Sequence, residues 1–257
     1  MTRDDDLTLL EAACRAGGEI ARRRFEQGCR SWNKQGGSPV TEADLEVDAH
    51  LKTMLTAARP GYGWLSEESA DNAARLSHRT LFIVDPIDGT VAFLKGRPHF
   101  TICAAVVTDG VPVAGVVHNP MLDHLYKARD GGGAFRNGDP IHVSACHGLT
   151  GCAMLGDRSM LTRPPWPDMK VETRNSVAYR VALVADGSFD ATVSLTAKRD
   201  WDLAAADIIL REAGGRLTDR NGADLVYNRP DARQASLVAA GPRLHAEIIQ
   251  RLSGRAA

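Results

Sequence analysis

The segment Thr80-Leu81-Phe82-Ile83-Val84-Asp85-Pro86-Ile87-Asp88-Gly89-Thr90 constrains this chain more than any other. Its first half is an apolar, β-branched run that predicts a buried strand. The strand delivers Asp85 at its C-terminal end, Pro86 sets a turn, and Asp88 comes back to the same side. Gly89 lets the backbone approach a ligand closely, and Thr90 adds a hydroxyl. Glu67-Glu68 lies upstream; far downstream, Trp201-Asp202 opens a small-residue helix that closes with Glu212-Ala213-Gly214-Gly215. Acids brought together in this way repel one another unless a cation sits between them. Oxygen donors without Cys or His favour Mg²⁺, Mn²⁺ or Ca²⁺ over zinc. The competing explanation is an Asx-rich surface turn that binds nothing.

A length of 257 residues allows one large domain or two packed subdomains sharing a core. A net charge of −1, with no Lys/Arg run, argues against a nucleic-acid polymer as partner but leaves room for a small phosphorylated substrate. The five cysteines are odd in number and form no C-x-x-C pair, as expected of free thiols in a reducing compartment. Met1-Thr2-Arg3-Asp4-Asp5-Asp6 is acidic where a signal peptide would be basic. No apolar stretch reaches membrane-spanning length. The expectation is a cytoplasmic protein with no membrane partner. The eight histidines show no metal spacing, and no nucleophile elbow, Walker loop or dinucleotide fingerprint is present.

Leu9, Ala13, Ala16, Ile20, Ala21 and Phe25 predict an amphipathic helix over 7–28. A polar loop over 33–38 leads to a second helix marked by Val47, Leu51 and Met54 and ended by Pro60-Gly61. Short strands follow around Trp64 and over 81–84, 101–107, 113–118 and 125–127. Asp109-Gly110 and Asn137-Gly138 are hairpin signals, and Gly131-Gly132-Gly133 is another turn, so this part is largely antiparallel sheet. Beyond residue 148, strands (152–155, 189–194, 237–240) alternate with helices (177–185, 202–212, 243–252). The fold class is therefore α/β, with an α+β half over 1–148 and an α/β half over 149–257. Each half carries one acid cluster, which places the site in the cleft between them.

The combination of Glu67-Glu68, Asp85-Pro86-Ile87-Asp88-Gly89-Thr90, Trp201-Asp202 and Glu212-Ala213-Gly214-Gly215 resembles the inositol monophosphatase superfamily, in the expected order from the Lys34 loop through Gly215. The resemblance implies a layered α-β-α-β-α fold and a lithium-sensitive phosphomonoesterase. It implies two or three Mg²⁺ ions per site, replaceable by Mn²⁺ and antagonised by Ca²⁺ and Li⁺. Carried over residue by residue, Glu68, Asp85 and the Ile87 carbonyl hold one metal, and Asp85, Asp88 and Asp202 a second. Gly89 and Thr90 contact phosphate, Asp44 and Thr90 activate the attacking water with Glu68 at the catalytic centre, and Glu67 and Lys34 stand behind the ligands. Asp202 would equally serve as a helix cap alone. Paired cations neutralise a phosphate dianion that otherwise repels an anionic nucleophile. Dimers are common in the superfamily, so a homodimer is compatible.

Two departures bear on substrate. Val91-Ala92-Phe93 replaces the usual Thr-Asn-Phe, and Leu195 stands where an acid grips inositol hydroxyls, with no acid over 191–199. Several features instead resemble the 3′(2′),5′-bisphosphate nucleotidase branch. These are Lys34 with Ser38-Pro39-Val40-Thr41 ahead of Asp44, Phe93-Leu94-Lys95 ahead of Phe100-Thr101, Arg158-Ser159, and Arg180. Gly36 and Gly156-Asp157 depart from that branch. Arg158 and Arg180 are thus candidates for a second substrate phosphate, although a solvated basic face would also explain them. The expectation is a 3′(2′),5′-bisphosphate nucleotidase, with inositol-1-monophosphatase or a related sugar phosphatase as the alternative. A regulatory interaction protein on the same scaffold is the alternative from another class.

Overall fold

A computed structural model of the chain describes residues 3–34 and 36–254; Met1 and Thr2, which begin the acidic N-terminal stretch, lie outside them. The chain opens with α1 (Arg3–Gln27), the short hairpin β1 (Ser31–Asn33) and β2 (Pro39–Thr41), and α2 (Glu42–Ala58). Then come β3 (Gly63–Ser66), β4 (Thr80–Asp88), α3 (Thr90–Leu94), β5 (Thr101–Thr108) and β6 (Val111–Asn119). The first half ends with β7 (His124–Arg129), β8 (Ala134–Arg136) and β9 (Asp139–Pro140). The second half runs β10 (Ala153–Gly156), α4 (Arg158–Leu161), β11 (Lys170–Glu172), α5 (Val177–Ala185), β12 (Ala191–Ser194) and β13 (Lys198–Arg199). It closes with α6 (Asp200–Glu212), β14 (Arg216–Thr218), β15 (Arg233–Gln234), β16 (Leu237–Ala240) and α7 (Pro242–Leu252).

β3 to β9 form a seven-stranded sheet in chain order, antiparallel except for the parallel β3–β4 pair. Both predicted hairpin turns put their first residue at positive φ, Asp109 at 51° and Asn137 at 51°. A five-stranded sheet in the order β11-β10-β12-β16-β14 forms the second half. The alternation of side chains along each strand builds the layers. Phe82 and Val84 face one core with α1 and α2, whereas Leu81 and Ile83 face another with α5 and α6. Leu237 and Ala239 enter that same middle core from the second sheet, while Val238 and Ala240 turn outward to α7. The result is five layers, α-β-α-β-α, with α5 and α6 sandwiched between the sheets. Gly115 is the contact that allows this: a Cβ there would lie 2.7 Å from the Ala205 carbonyl oxygen of α6.

Two local readings change. The buried stripe of α1 is Leu10, Ala13, Cys14, Gly17 and Ala21, while Leu9, Ala16 and Ile20 are only partly buried, so the stripe is rotated from the predicted one. Pro86 makes no turn. Residues 85–88 stay within β4, where Asp85 pairs with Cys103 and Asp88 with Thr101 across a register shift. Three steps on one strand against two on the other make a β-bulge, which is what returns Asp88 to the face of Asp85.

Candidate active site

The bulge at the end of β4 sets two buried aspartates side by side, 1% and 5% exposed. Both Asp85 carboxylate oxygens are buried with no hydrogen-bond partner. Asp88 is better held: its Oδ2 accepts from Ser176 Oγ at 2.7 Å and from the Ala178 amide at 2.7 Å, at the N-terminal end of α5. Gly89, at φ 100°, turns the chain out of the strand into α3. A Cβ there would meet the His99 carbonyl oxygen at 3.0 Å and the Ser176 amide at 3.2 Å.

Glu67 follows β3, and its amide donates to the Val84 carbonyl at 3.3 Å, which keeps it alongside Asp85. Asp202 arrives from the first turn of α6, where its Oδ2 accepts from the Arg199 amide at 2.9 Å. It occupies the third helical position rather than the cap, since α6 begins at Asp200. Glu67, Asp85 and Asp202 each offer a carboxylate oxygen within 4.8 Å of the others. Glu68 is the expected ligand, yet Glu67 is the one that joins this group. Glu68, the next residue along, takes the Lys34 ammonium at 2.7 Å, while Lys34 also reaches Glu67 at 3.0 Å. Burial pushes the Glu68 carboxyl up to about 7 against the pull of Lys34.

The acids carry the electrostatic mark of crowding. Burial and then the charges of Glu67, Asp88 and Asp202 push Asp85 well above the carboxylate range. Burial and then Asp88 raise Asp202 to about 8. Burial raises Asp88 to about 6, less because Ser176 and Ala178 stabilise its anion. Oxygen-only donors, two of them orphaned in the interior, fit a hard divalent cation such as Mg²⁺.

Asp44 and Thr90 also meet. Thr90 Oγ1 lies 3.1 Å from Asp44 Oδ1 and 3.2 Å from the Ile87 carbonyl oxygen. The other Asp44 oxygen accepts from the Thr41 amide at 2.8 Å and hydroxyl at 2.6 Å, which locks the carboxylate at the start of α2.

The two candidate arginines separate. Arg180, on α5, is 8% exposed, has an unpartnered Nε, and lines a cavity of about 310 Å³. Burial pulls its guanidinium below the ordinary range, opposed by the charges of Asp88 and Asp202. Arg158 does not line that cavity; it is exposed at the start of α4 and spends Nη1 on the Val171 carbonyl at 3.0 Å. The second cation in the cavity is Lys198, whose Nζ donates to Thr196 Oγ1 at 2.8 Å and Ala197 O at 3.3 Å. Sequence reasoning missed Lys198 because it sits on the two-residue strand β13, paired with the distant β15. It also missed Ser176, although a serine just before the apolar run at Val177 is an N-cap signal.

The family model described as the inositol monophosphatase family matches residues 3–256. The chain is 36% identical over 258 residues to an inositol-1-monophosphatase of Mesorhizobium japonicum, covering 95% of this chain and 92% of that one. It is 33% identical over 238 residues to the 3′(2′),5′-bisphosphate nucleotidase CysQ of Aggregatibacter actinomycetemcomitans, covering 87% of each. Its fold is similar to the crystal structure of the extragenic suppressor protein suhB from Bartonella henselae, with a TM-score of 0.84, 28% identity, and coverage of 96% of this chain and 98% of that one.

Proposed function

This chain belongs to the inositol monophosphatase family, a metal-dependent phosphomonoesterase, and on that premise we propose that it removes one phosphate from a substrate carrying a second anionic group, of the 3′(2′),5′-bisphosphate nucleotide type. The observation that supports the choice is the pair Arg180 and Lys198 in one cavity beside Asp88 and Asp202. Neither forms an ion pair with a carboxylate among the described residues, and Leu195 lines the same wall, which also holds Asp157, Ser194 and Thr196. Arg180 and Lys198 hold the distal anion by charge-assisted hydrogen bonds.

Glu67, Asp85, Asp88, Asp202 and the Ile87 carbonyl would hold the divalent cations. When bound, these supply charge neutralisation at the phosphate and acidify water. The chain's own groups do the rest. Asp44, fixed by Thr41, accepts from Thr90 Oγ1, which leaves the threonine oxygen lone pairs free to take a proton from the attacking water. Burial holds the Asp44 carboxyl above its usual range, which suits it to receive that proton. Gly89 and Thr90 contribute backbone contacts to the phosphate. Lys34 orients Glu67 and Glu68.

Assaying phosphate release from a panel of monoesters, with and without Mg²⁺, tests the reading. The bisphosphate nucleotide should have the highest kcat/KM. Arg180→Ala should reduce it roughly ten- to a hundredfold, as expected for a lost charge-assisted bond of about 1.5–3 kcal/mol. Simple monoesters should be turned over nearly as before. A wild type that favours inositol 1-phosphate would install the sugar-phosphatase reading, which the Mesorhizobium japonicum relative favours. The exchange of glutamates has its own test. Glu67→Gln should weaken Mg²⁺ binding beyond the roughly 10–100-fold typical of a group that only supports a ligand, and Glu68→Gln should stay within that range. Thermal shift against Mg²⁺ concentration reads both; equal effects would leave the exchange unsupported.

A further inference from the structure

A polar network on the far side of α5 is tied to both ends of that helix. Tyr179, in its first turn, places its hydroxyl 3.0 Å from His124 Nδ1 on β7. His124 Nε2 lies 2.6 Å from Arg136 Nη2 on β8. Arg136 Nη1 pairs with Asp186 at 2.9 Å, and Asp186 is the C-cap of α5. Tyr126 donates to the same Asp186 oxygen at 2.7 Å. A guanidinium can only donate, so Nε2 of His124 must be the bare acceptor, and the neutral ring then carries its proton on Nδ1 and gives it to Tyr179. Tyr179 follows directly on Ala178, whose amide holds Asp88, and its own amide donates to Ser176 Oγ at 2.9 Å, the other group on Asp88.

We infer that His124 is a positioning residue for Asp88: as the neutral tautomer it clamps α5 against the seven-stranded sheet and so fixes the Ser176 and Ala178 donors on that carboxylate. The inference rests on Asp88 being a ligand of the reaction centre. Protonating His124 would set an Nε2–H against the Arg136 N–H and undo the clamp. The groups facing His124 are Arg136 from β8, Asp186 and Tyr179 from α5, Tyr126 from its own strand and Asp123 from the preceding turn. Burial and then Arg136 keep its pKa below the usual histidine range despite Asp186 and Asp123, which is consistent with a ring held neutral.

The test uses the Mg²⁺-loaded enzyme. His124→Phe keeps a ring but has no polar atoms, whereas His124→Gln can still accept from Arg136 and donate to Tyr179. His124→Phe should lower kcat about tenfold, as for the loss of a group that orients a ligand, with little change in KM and a smaller Mg²⁺-induced rise in Tm. His124→Gln should recover most of the loss and hold its kcat to more acidic pH than wild type. If His124→Phe does not fold, Tyr179→Phe, which removes one hydroxyl, is measured in its place with the same expectation. An unchanged kcat in the phenylalanine variant, or a glutamine variant no better than it, overturns the inference. Asp88→Asn run alongside separates the two levels. Undiminished turnover there overturns the role of Asp88 itself, whereas a dead Asp88→Asn with an unaffected His124→Phe overturns only the role of His124.

Discussion

Asp85→Asn should cut turnover at saturating Mg²⁺ by about 10²–10³-fold or more and, at the same time, make the metal-free protein more stable. The two effects have one cause. Both Asp85 oxygens are buried without a hydrogen-bond partner, within the field of Glu67, Asp88 and Asp202. A carboxylate there is costly in the absence of a cation, and asparagine keeps the shape while removing the charge and offering N–H groups to the acids around it. With a cation bound the sign reverses, because the lost charge is then a lost ligand. Melting temperatures in chelator and in excess Mg²⁺, with kcat for wild type and variant, check both arms. A metal-free variant less stable than wild type that still gains the full Mg²⁺ increment would contradict this account of Asp85.

The second large effect is a stability profile that depends on metal. Asp88 and Asp202 are raised in the fold to about 6 and about 8, above the ordinary carboxylate value. Over that window these two groups bind more protons in the folded state than in the unfolded one, so their contribution to stability falls as pH rises. The contribution is fully present below the unfolded carboxylate value of about 4 and is lost by the time pH passes about 8. In chelator, Tm should therefore decline from about pH 6.5 to about pH 8, above the range in which the histidines that burial holds below their usual pKa add an opposing slope. Mg²⁺ should abolish the decline, because it binds the ionised acids. At about a hundred times its Kd it should add about 2.7 kcal/mol, with its affinity rising across the same pH window. A chelator-treated protein whose Tm climbs steadily over this range would show that the acids are not crowded.

Much of the site was legible because its parts lie on local patterns. The apolar run over 80–84 announces a strand that carries Asp85, although that strand runs on to Asp88, and Asp44 stands three residues after Thr41 as a helix start requires. The layered order was implied by the family resemblance, and its physical basis is the alternation that turns Leu81 and Phe82 to different cores. What was not legible depends on pairing between distant segments. The bulge at Pro86 exists only relative to Cys103 and Thr101 on β5, and from the sequence alone a proline between two aspartates reads as a turn. Choosing between Glu67 and Glu68 required knowing that the Glu67 amide stays bonded to β4 after β3 has ended. Arg158 and Arg180 are equivalent on paper. Only the short helix α4 turns Arg158 onto the Val171 carbonyl, while Lys198 is carried into the cavity by a strand pair spanning distant segments. No helix among the described residues is long and apolar enough to cross a membrane.

If the acids gathered by β3, β4 and α6 form a divalent-cation site at which a phosphate monoester is cleaved, they will order a transition-metal ion in place of Mg²⁺. Crystals grown with Mn²⁺, with diffraction collected at the manganese edge, test it most directly. Expected are an anomalous peak bonded to oxygens of Glu67 and Asp85, a neighbouring peak shared with Asp88 and Asp202, and loss of both in Asp85→Asn. Manganese ordered only at surface carboxylates, with the Glu67, Asp85 and Asp202 oxygens bare of metal, would contradict it.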